Sequence, residues 1–246
     1  MTNVNIADFG FAEVRTDKKT AMVGGIFSQV APYYDQMNDI MSGGFHRCWK
    51  SAAVAFAAIR PGMTILDLAC GSGDLATRLL PYMTPNGHVI LADINPAMLA
   101  LARRRLQNYR AAQFTQCNGE SLPFAGGSFD RIFIAFGLRN ITYRQQALAE
   151  MHRVLRPGGQ CIIVEFSPPQ GVLTALRRRL LLAALPRLGQ WCFDDADSYR
   201  YLAESILRFP PRENLAAMMQ NAGLARVQWL NLAAGMVLLH HGRRLS

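Results

Sequence analysis

The chain is 246 residues long with a mass of 27.3 kDa; half of its residues are hydrophobic, 17% are charged, and the formal net charge is +9. Such a length corresponds to one or two domains, and such an apolar fraction excludes a disordered chain. No window offers the ~20 consecutive apolar residues of a membrane span, the first ten residues lack the parts of an export signal, and Cys48, Cys70, Cys117, Cys161 and Cys192 are spaced as free thiols in a reducing cytoplasm rather than as a disulfide frame or metal site.

Residues 1 to about 60 read as a helical extension, with helical stretches over Met22 to Tyr34 and Arg47 to Ile59. From Thr64 strands and helices alternate. Thr64 to Leu68 is an apolar strand ending in a glycine-rich turn, and Leu75 to Tyr82 a helix. His88 to Ala92 is a second strand, Pro96 to Asn108 a helix with proline in its first turn, and Gln113 to Cys117 a weak third strand. Phe129 to Ala135 is a fourth strand and Arg144 to Leu155 a helix closed by Arg156-Pro157-Gly158-Gly159. Gln160 to Phe166 is a fifth strand, and Leu173 to Leu185 and Pro211 to Asn221 are helices. Two β-like runs close the chain, Ala225 to Leu230 and Met236 to His240. The alternation from Thr64 to Phe166 implies βαβ units and a parallel sheet. The last two runs are too close together for a helical crossover, so an antiparallel hairpin is expected at the end of a doubly wound sheet.

The +9 charge invites three partners: nucleic acid, a membrane surface or an acidic ligand. Only Lys18, Lys19 and Lys50 of the 26 cations are lysines, so arginine bias accounts for part of it. Arg103 to Arg105 reads equally as a solvated helix face; Arg177 to Arg179 is flanked by leucines.

The loop Leu66-Asp-Leu-Ala-Cys-Gly71-Ser-Gly73-Asp-Leu-Ala76 follows a strand, opens a helix and satisfies G-x-G-x-x-A. Its glycines let backbone approach a ligand, and the helix start offers free N–H groups. Asp93 ends the next strand about 20 residues on, where a carboxylate accepts from a ribose diol. Asp67 and Asp74 are poor neighbours for a pyrophosphate and good ones for a cationic sulfonium and its amino group. Together with the closing hairpin they resemble a class I S-adenosylmethionine-dependent methyltransferase: a Rossmann-like α/β fold with a mostly parallel, doubly wound sheet, an antiparallel terminal hairpin and, here, an N-terminal helical extension. Residues 1–60 would then be a lid and 61–246 the methyltransferase domain.

The segment after the fourth strand narrows the class. Ala135-Phe-Gly-Leu-Arg-Asn140 is not the Asn/Asp-Pro-Pro-Tyr of enzymes that methylate amide or base nitrogens, which argues against a nucleic-acid partner. It resembles the signature of the UbiE/MenG family of quinone-ring C-methyltransferases. Val30-Ala-Pro-Tyr-Tyr-Asp-Gln-Met-Asn-Asp39, His46-Arg-Cys-Trp-Lys50, Asp195-Ala-Asp-Ser-Tyr-Arg-Tyr201 and Asn231-Leu-Ala-Ala-Gly235 extend that resemblance over almost the whole chain. It implies S-adenosyl-L-methionine as cofactor and C-methylation of a polyprenylated benzoquinol or demethylmenaquinol in ubiquinone or menaquinone biosynthesis. It implies Asp67, Gly71, Ser72, Gly73, Asp93, Asn118 and Gly119 as cofactor residues and no metal. Ala135 stands where relatives often have Ser, so one contact to the cofactor is expected to be missing. A methyltransferase for another apolar small molecule and a non-catalytic scaffold of the quinone pathway are the alternatives.

Carbon methylation needs an electron-rich ring carbon, which a quinol gains as its hydroxyl loses a proton. Arg139 is the candidate to hold the phenolate or orient a water; a strand-end salt bridge is the competing reading. Asn140 could position the same water. His46 is the titratable alternative, or a packing histidine. Leu173 to Leu188, apolar over most of its circumference and basic at one end, reads as an interfacial helix on anionic lipid or as a buried helix. A homodimer or a quinone-biosynthesis complex is a further possible association. The expected location is the cytoplasm, peripherally on the inner face of the membrane.

Overall fold

The computed structural model describes residues 6–171 and 174–245. An N-terminal hairpin, β1 (Ile6–Phe9) and β2 (Ala12–Arg15), precedes α1 (Thr16–Val30), α2 (Tyr34–Ser42) and α3 (Phe45–Phe56). The alternating region follows: β3 (Thr64–Leu68), α4 (Ala76–Leu79), β4 (His88–Asp93), α5 (Pro96–Leu106), β5 (Ala112–Gln116), β6 (Phe129–Ala135), α6 (Arg144–Val154) and β7 (Leu155–Phe166). Then come α7 (Thr174–Phe193), α8 (Ala196–Arg208), α9 (Arg212–Asn221), β8 (Ala225–Asn231) and β9 (Val237–Arg243).

The central sheet runs β5-β4-β3-β6-β7-β9-β8. Strands β3 to β7 pair in parallel, while β9 pairs antiparallel with both β7 and β8. The terminal hairpin is therefore present, and β9 inserts between β7 and β8. Strand residues alternate between two cores. Ile65, Val89, Leu91, Phe133, Ile162 and Val164 pack with α3, α4 and α5. Leu66, Leu68, Ile132, Ile134, Cys161 and Ile163 pack with α6 and α9. Burying each such side chain stabilises the fold by roughly 1.5–3 kcal/mol. Asp67 shares the face of Ile65, which puts its carboxyl on the α3–α4 side of the sheet.

The order reverses at β3–β6, where the chain leaves β3 toward β4 and later returns to β6. Ligands in open α/β sheets bind outside the carboxyl ends of strands at this switch point. Both the glycine loop after β3 and the Phe136–Asn140 segment after β6 emerge there.

The extension differs from the all-helical expectation. Its first described residues form the β1–β2 hairpin, turned at Gly10 with φ +59°. Phe9 stacks on Tyr201 at 4.7 Å and the Phe11 amide donates to Glu204, so α8 holds the hairpin. Helix α8 itself carries a cap signal that the motif reading passed over: the Asp195 side chain accepts from the Ser198 amide at 3.0 Å. Strand β7 begins at Leu155 and absorbs the expected Arg156–Gly159 turn. Helix α7 runs on to Phe193 through Pro186; Leu173, the expected start of that helix, lies outside the described residues.

Candidate active site

The loop after β3 is shaped by backbone conformations few side chains tolerate. Ala69, Gly71 and Gly73 have φ of +52°, +56° and +79°. A Cβ on Gly73 would sit 3.2 Å from both Ala102 and Leu106 of α5, so this turn can pack on that helix only as glycine. The Asp93 carboxylate, at the end of β4, accepts from the Gly71 amide and the Asn95 amide, each at 2.9 Å. These bonds lock the loop to the strand end. Burial raises the Asp93 carboxyl, and the backbone donors oppose the rise.

A pocket opens at this strand end. Its walls include Ala69, Gly71, Asp93, Met98, Asn118, Gly119, Ala135, Phe136, Gly137 and Asn140. The enclosed space at its centre is about 110 Å³, and the mouth is open to solvent. The extension supplies the remaining wall with Thr20, Val23, Gly24 and Phe27 of α1 and Tyr34 of α2. Side chains fasten it in place. Asn95 Nδ2 donates to the Gly24 carbonyl and to Ser28 Oγ. Ser72 Oγ donates to Asp35 at 2.7 Å and accepts from Arg105, which also pairs with Asp35. Lys50 pairs with Asp74 at 2.9 Å. Burial alone would raise Asp74, but the charges and hydrogen bonds of Lys50 and Arg78 outweigh it and hold that carboxyl well below the usual range.

After β6 the chain turns at Phe136, with φ +60°. Gly137 meets the β3 loop closely: a Cβ there would lie 2.6 Å from the Ala69 Cβ. The glycine of the Phe-Gly-Leu-Arg-Asn signature is thus fixed by two loops crossing at the switch point. Arg139 is 8% exposed and is not among the residues that line the pocket. Its Nη1 donates to Glu165 Oε1 at 2.8 Å and to the Phe136 carbonyl at 2.5 Å. Glu165 also accepts from the Arg139 and Phe166 amides. The ion pair therefore staples the turn after β6 to β7. Asn140 faces the pocket, and its Oδ1 accepts from the Tyr201 hydroxyl at 3.1 Å.

The anticipated residues separate accordingly. Gly71, Asp93, Asn118, Gly119 and Asn140 line the pocket. Gly73 and Ser72 build the loop and its latch from behind. His46 lies elsewhere: its Nε2 is 2.9 Å from Asp39, its Nδ1 is 3.6 Å from Asp74, and it lines a second, polar cavity with Arg47, Arg78 and Arg105. A catalytic role for it has no support in that placement. For Arg139 the salt-bridge reading describes what is seen. Asp67 is 1% exposed, and its Oδ2 has no hydrogen-bond partner among the described residues. Burial, with Asp93 and Asp74 nearby, pushes it up to about 8 against the pull of Lys50. The contribution of α1 had no motif to announce it, and Glu165 read only as a strand residue.

A model of the ubiE/COQ5 methyltransferase family matches residues 15–244. The chain belongs to that family. It is 48% identical over 238 residues to the ubiquinone/menaquinone biosynthesis C-methyltransferase UbiE of Coxiella burnetii, covering 95% of each chain. It is 46% identical to the UbiE of Marinomonas sp., covering 96% of this chain and 95% of that one. Among solved structures, a SAM-dependent methyltransferase of Thermotoga maritima, described as a possible histamine N-methyltransferase, superposes with a TM-score of 0.65 at 18% identity. It covers 90% of this chain and 99% of that one. A SAM-dependent methyltransferase of Aquifex aeolicus matches with a TM-score of 0.56 at 17% identity, over 78% of this chain and 88% of that one. These last two establish the class I fold.

The cofactor of the family is S-adenosylmethionine, and the pocket fits it. Asp93 is placed to accept from a ribose diol while the loop backbone approaches closely at Gly71. The orphaned Asp67 Oδ2 is the kind of acceptor that an ammonium group satisfies.

Proposed function

We propose that this chain transfers a methyl group from S-adenosylmethionine to a ring carbon of a polyprenylated quinol: 2-methoxy-6-polyprenyl-1,4-benzoquinol, demethylmenaquinol or both. Identity of 44–48% along nearly the full length of UbiE relatives carries this reading. The pocket at the switch point supports it with a largely apolar interior of Phe27, Met98, Phe136 and Ile141.

When bound, the cofactor supplies an electrophilic methyl on a sulfonium. Asp93, Asn118 and Gly119 would hold its nucleoside, and Asp67 is in reach of the loop that cradles its other end. Residues 1–60 act as a lid: α1 and Tyr34 close the pocket over Gly71 and exclude water. Asn140, held by Tyr201, presents an amide to the ring edge. Arg139 acts on the ring indirectly, because its ion pair with Glu165 sets the turn that aims Asn140. Proximity and orientation supply most of what an in-line displacement needs.

The quinol's polyprenyl tail belongs in a bilayer, and no described helix is long and apolar enough to cross one. Helix α7 would meet the membrane surface. Only Gly189 of it is buried, while Leu176, Leu180 and Trp191 are 54%, 56% and 86% exposed. Arg177 and Arg179 add positive charge for anionic lipid; Arg178 stacks over Phe11 at 5.8 Å. Changing Arg177 and Arg179 to Glu should weaken co-sedimentation with anionic liposomes, and unchanged binding would reject this mode of docking.

Purified protein supplied with cofactor and short-chain forms of both demethylated quinols tests the main reading. Methylated product from at least one is expected. No product from either, with cofactor binding intact by calorimetry, would reject it.

A further inference from the structure

A row of aromatic side chains leads from the pocket wall to the surface along one face of α3. Phe136, which lines the pocket, has its ring 6.2 Å from that of Trp49. Trp49 in turn is 6.4 Å from Phe45, with the two rings 23° from parallel. Phe45 and Trp49 are four residues apart, so the helix sets them on the same face. The next position of that row, Ala53, is fully buried in the core. The row therefore begins in the core, passes the pocket wall at Phe136 and ends in solvent.

The local sequence fixes where it ends. Gly43 and Gly44, with φ of +58° and +78°, turn the chain from α2 into α3, which makes Phe45 the first residue of that helix. Phe45 is 62% exposed, and among the described residues Trp49 is its only aromatic neighbour. The flank toward β7 is apolar too. Trp49 meets Phe166 edge-on at 6.5 Å, and the amide of Ser167, the next residue, donates to the carbonyl of Met236, itself 52% exposed. A single exposed apolar side chain needs no explanation. This one continues a row whose inner end is already part of the pocket.

The enclosed centre of the pocket, about 110 Å³, is too small for a chain of several isoprene units beside a ring. Such a chain has to leave along a wall. The walls at Asn118, Glu120 and Thr142 carry polar groups, which a hydrocarbon would desolvate without repayment. The wall at Phe136 leads onto rings that offer only apolar surface.

We propose that the acceptor's polyprenyl tail leaves the pocket past Phe136 and lies across Trp49 and Phe45, so that α3 reads the tail. This rests on the quinol reading above. Two rings beyond the wall give the first isoprene units a surface and the later ones none.

Acceptors with one, two and four isoprene units, presented in the same detergent, test this path. For the native protein KM should fall about tenfold from one unit to two, and less thereafter, as expected for burying a few carbons. Phe45→Ser should cut that ratio to about twofold, while Phe45→Leu, which keeps an apolar side chain, should retain most of it. Tyr109→Ser, a change to a 47% exposed ring beyond the end of α5, should leave the ratio native. A folding defect would lower kcat for every acceptor alike and leave the ratio untouched. A native ratio in Phe45→Ser overturns the proposal, and so does a Phe45→Leu variant as impaired as Phe45→Ser. If Phe45→Ser keeps the ratio but weakens co-sedimentation with anionic liposomes, Phe45 meets the bilayer and the tail path is wrong. A native protein whose KM ignores tail length refutes this proposal alone. One that turns over neither quinol at any tail length refutes the acceptor reading as well.

Discussion

Replacing Glu165 with leucine tests whether the Arg139 ion pair is structural. Both partners are buried, Glu165 at 2% and Arg139 at 8% exposure. The substitution leaves the Arg139 guanidinium with only the Phe136 carbonyl and leaves two amides, of Arg139 and Phe166, without their acceptor. Removing one member of a buried pair destabilises by about 3–5 kcal/mol, and each abandoned N–H adds up to about 1–3 kcal/mol. For a chain of this size the pair alone corresponds to a fall of roughly 6–20 °C in Tm, at about 2–4 °C per kcal/mol, and the abandoned amides deepen it. The double variant Arg139→Met, Glu165→Leu removes both charges and should recover much of that loss, because apolar replacement of a whole buried pair is often neutral. Urea and thermal denaturation measure both, and turnover should stay low in each because Asn140 is no longer aimed. A single variant within about 1 kcal/mol of the native protein would refute the assignment, since it would mean the pair carries no net structural energy.

Gly137→Ala forces a Cβ to 2.6 Å from that of Ala69; a stability loss of about 1–3 kcal/mol is expected from overpacking, together with weakened cofactor binding by calorimetry. Asp93→Asn should raise the cofactor Kd by about 10- to 100-fold, the worth of one to two charge-assisted hydrogen bonds, and an unchanged Kd would remove Asp93 from the ribose. The pH dependence of stability should carry the mark of His240, which is held near 4 by burial, with the Arg212 carbonyl 3.0 Å from its Nε2 opposing. The unfolded chain takes up this proton near pH 6.5 and the folded chain only near 4, so stability should fall between pH 6.5 and 4. His240→Gln should flatten that fall, and an identical slope in urea titrations would exclude His240 as a source.

The legible parts of this protein were those written in local pattern. Apolar runs bounded by glycine and proline placed every strand from Thr64 onward, and the short gap between the last two runs required their antiparallel pairing. The Asp-x-x-x-Gly-x-Gly loop and Asp93 located the cofactor end because both depend on backbone proximity and spacing within one βαβ unit. Residues brought together from far apart were not legible. Tyr201 and Asn140 are 61 positions apart, and Asn95 lies 67 from Ser28; only the fold makes them neighbours. Whether Arg139 faced ligand or protein depended on Glu165, a residue of another strand. His46 was titratable and sat in a signature, yet its position on α3 put it with Asp39 and Asp74 instead of in the pocket. The sequence by itself determined the architecture, the cofactor loop and the family. The tertiary structure decided which charged side chains face one another, because pairing and desolvation are set by three-dimensional neighbours that no local spacing encodes.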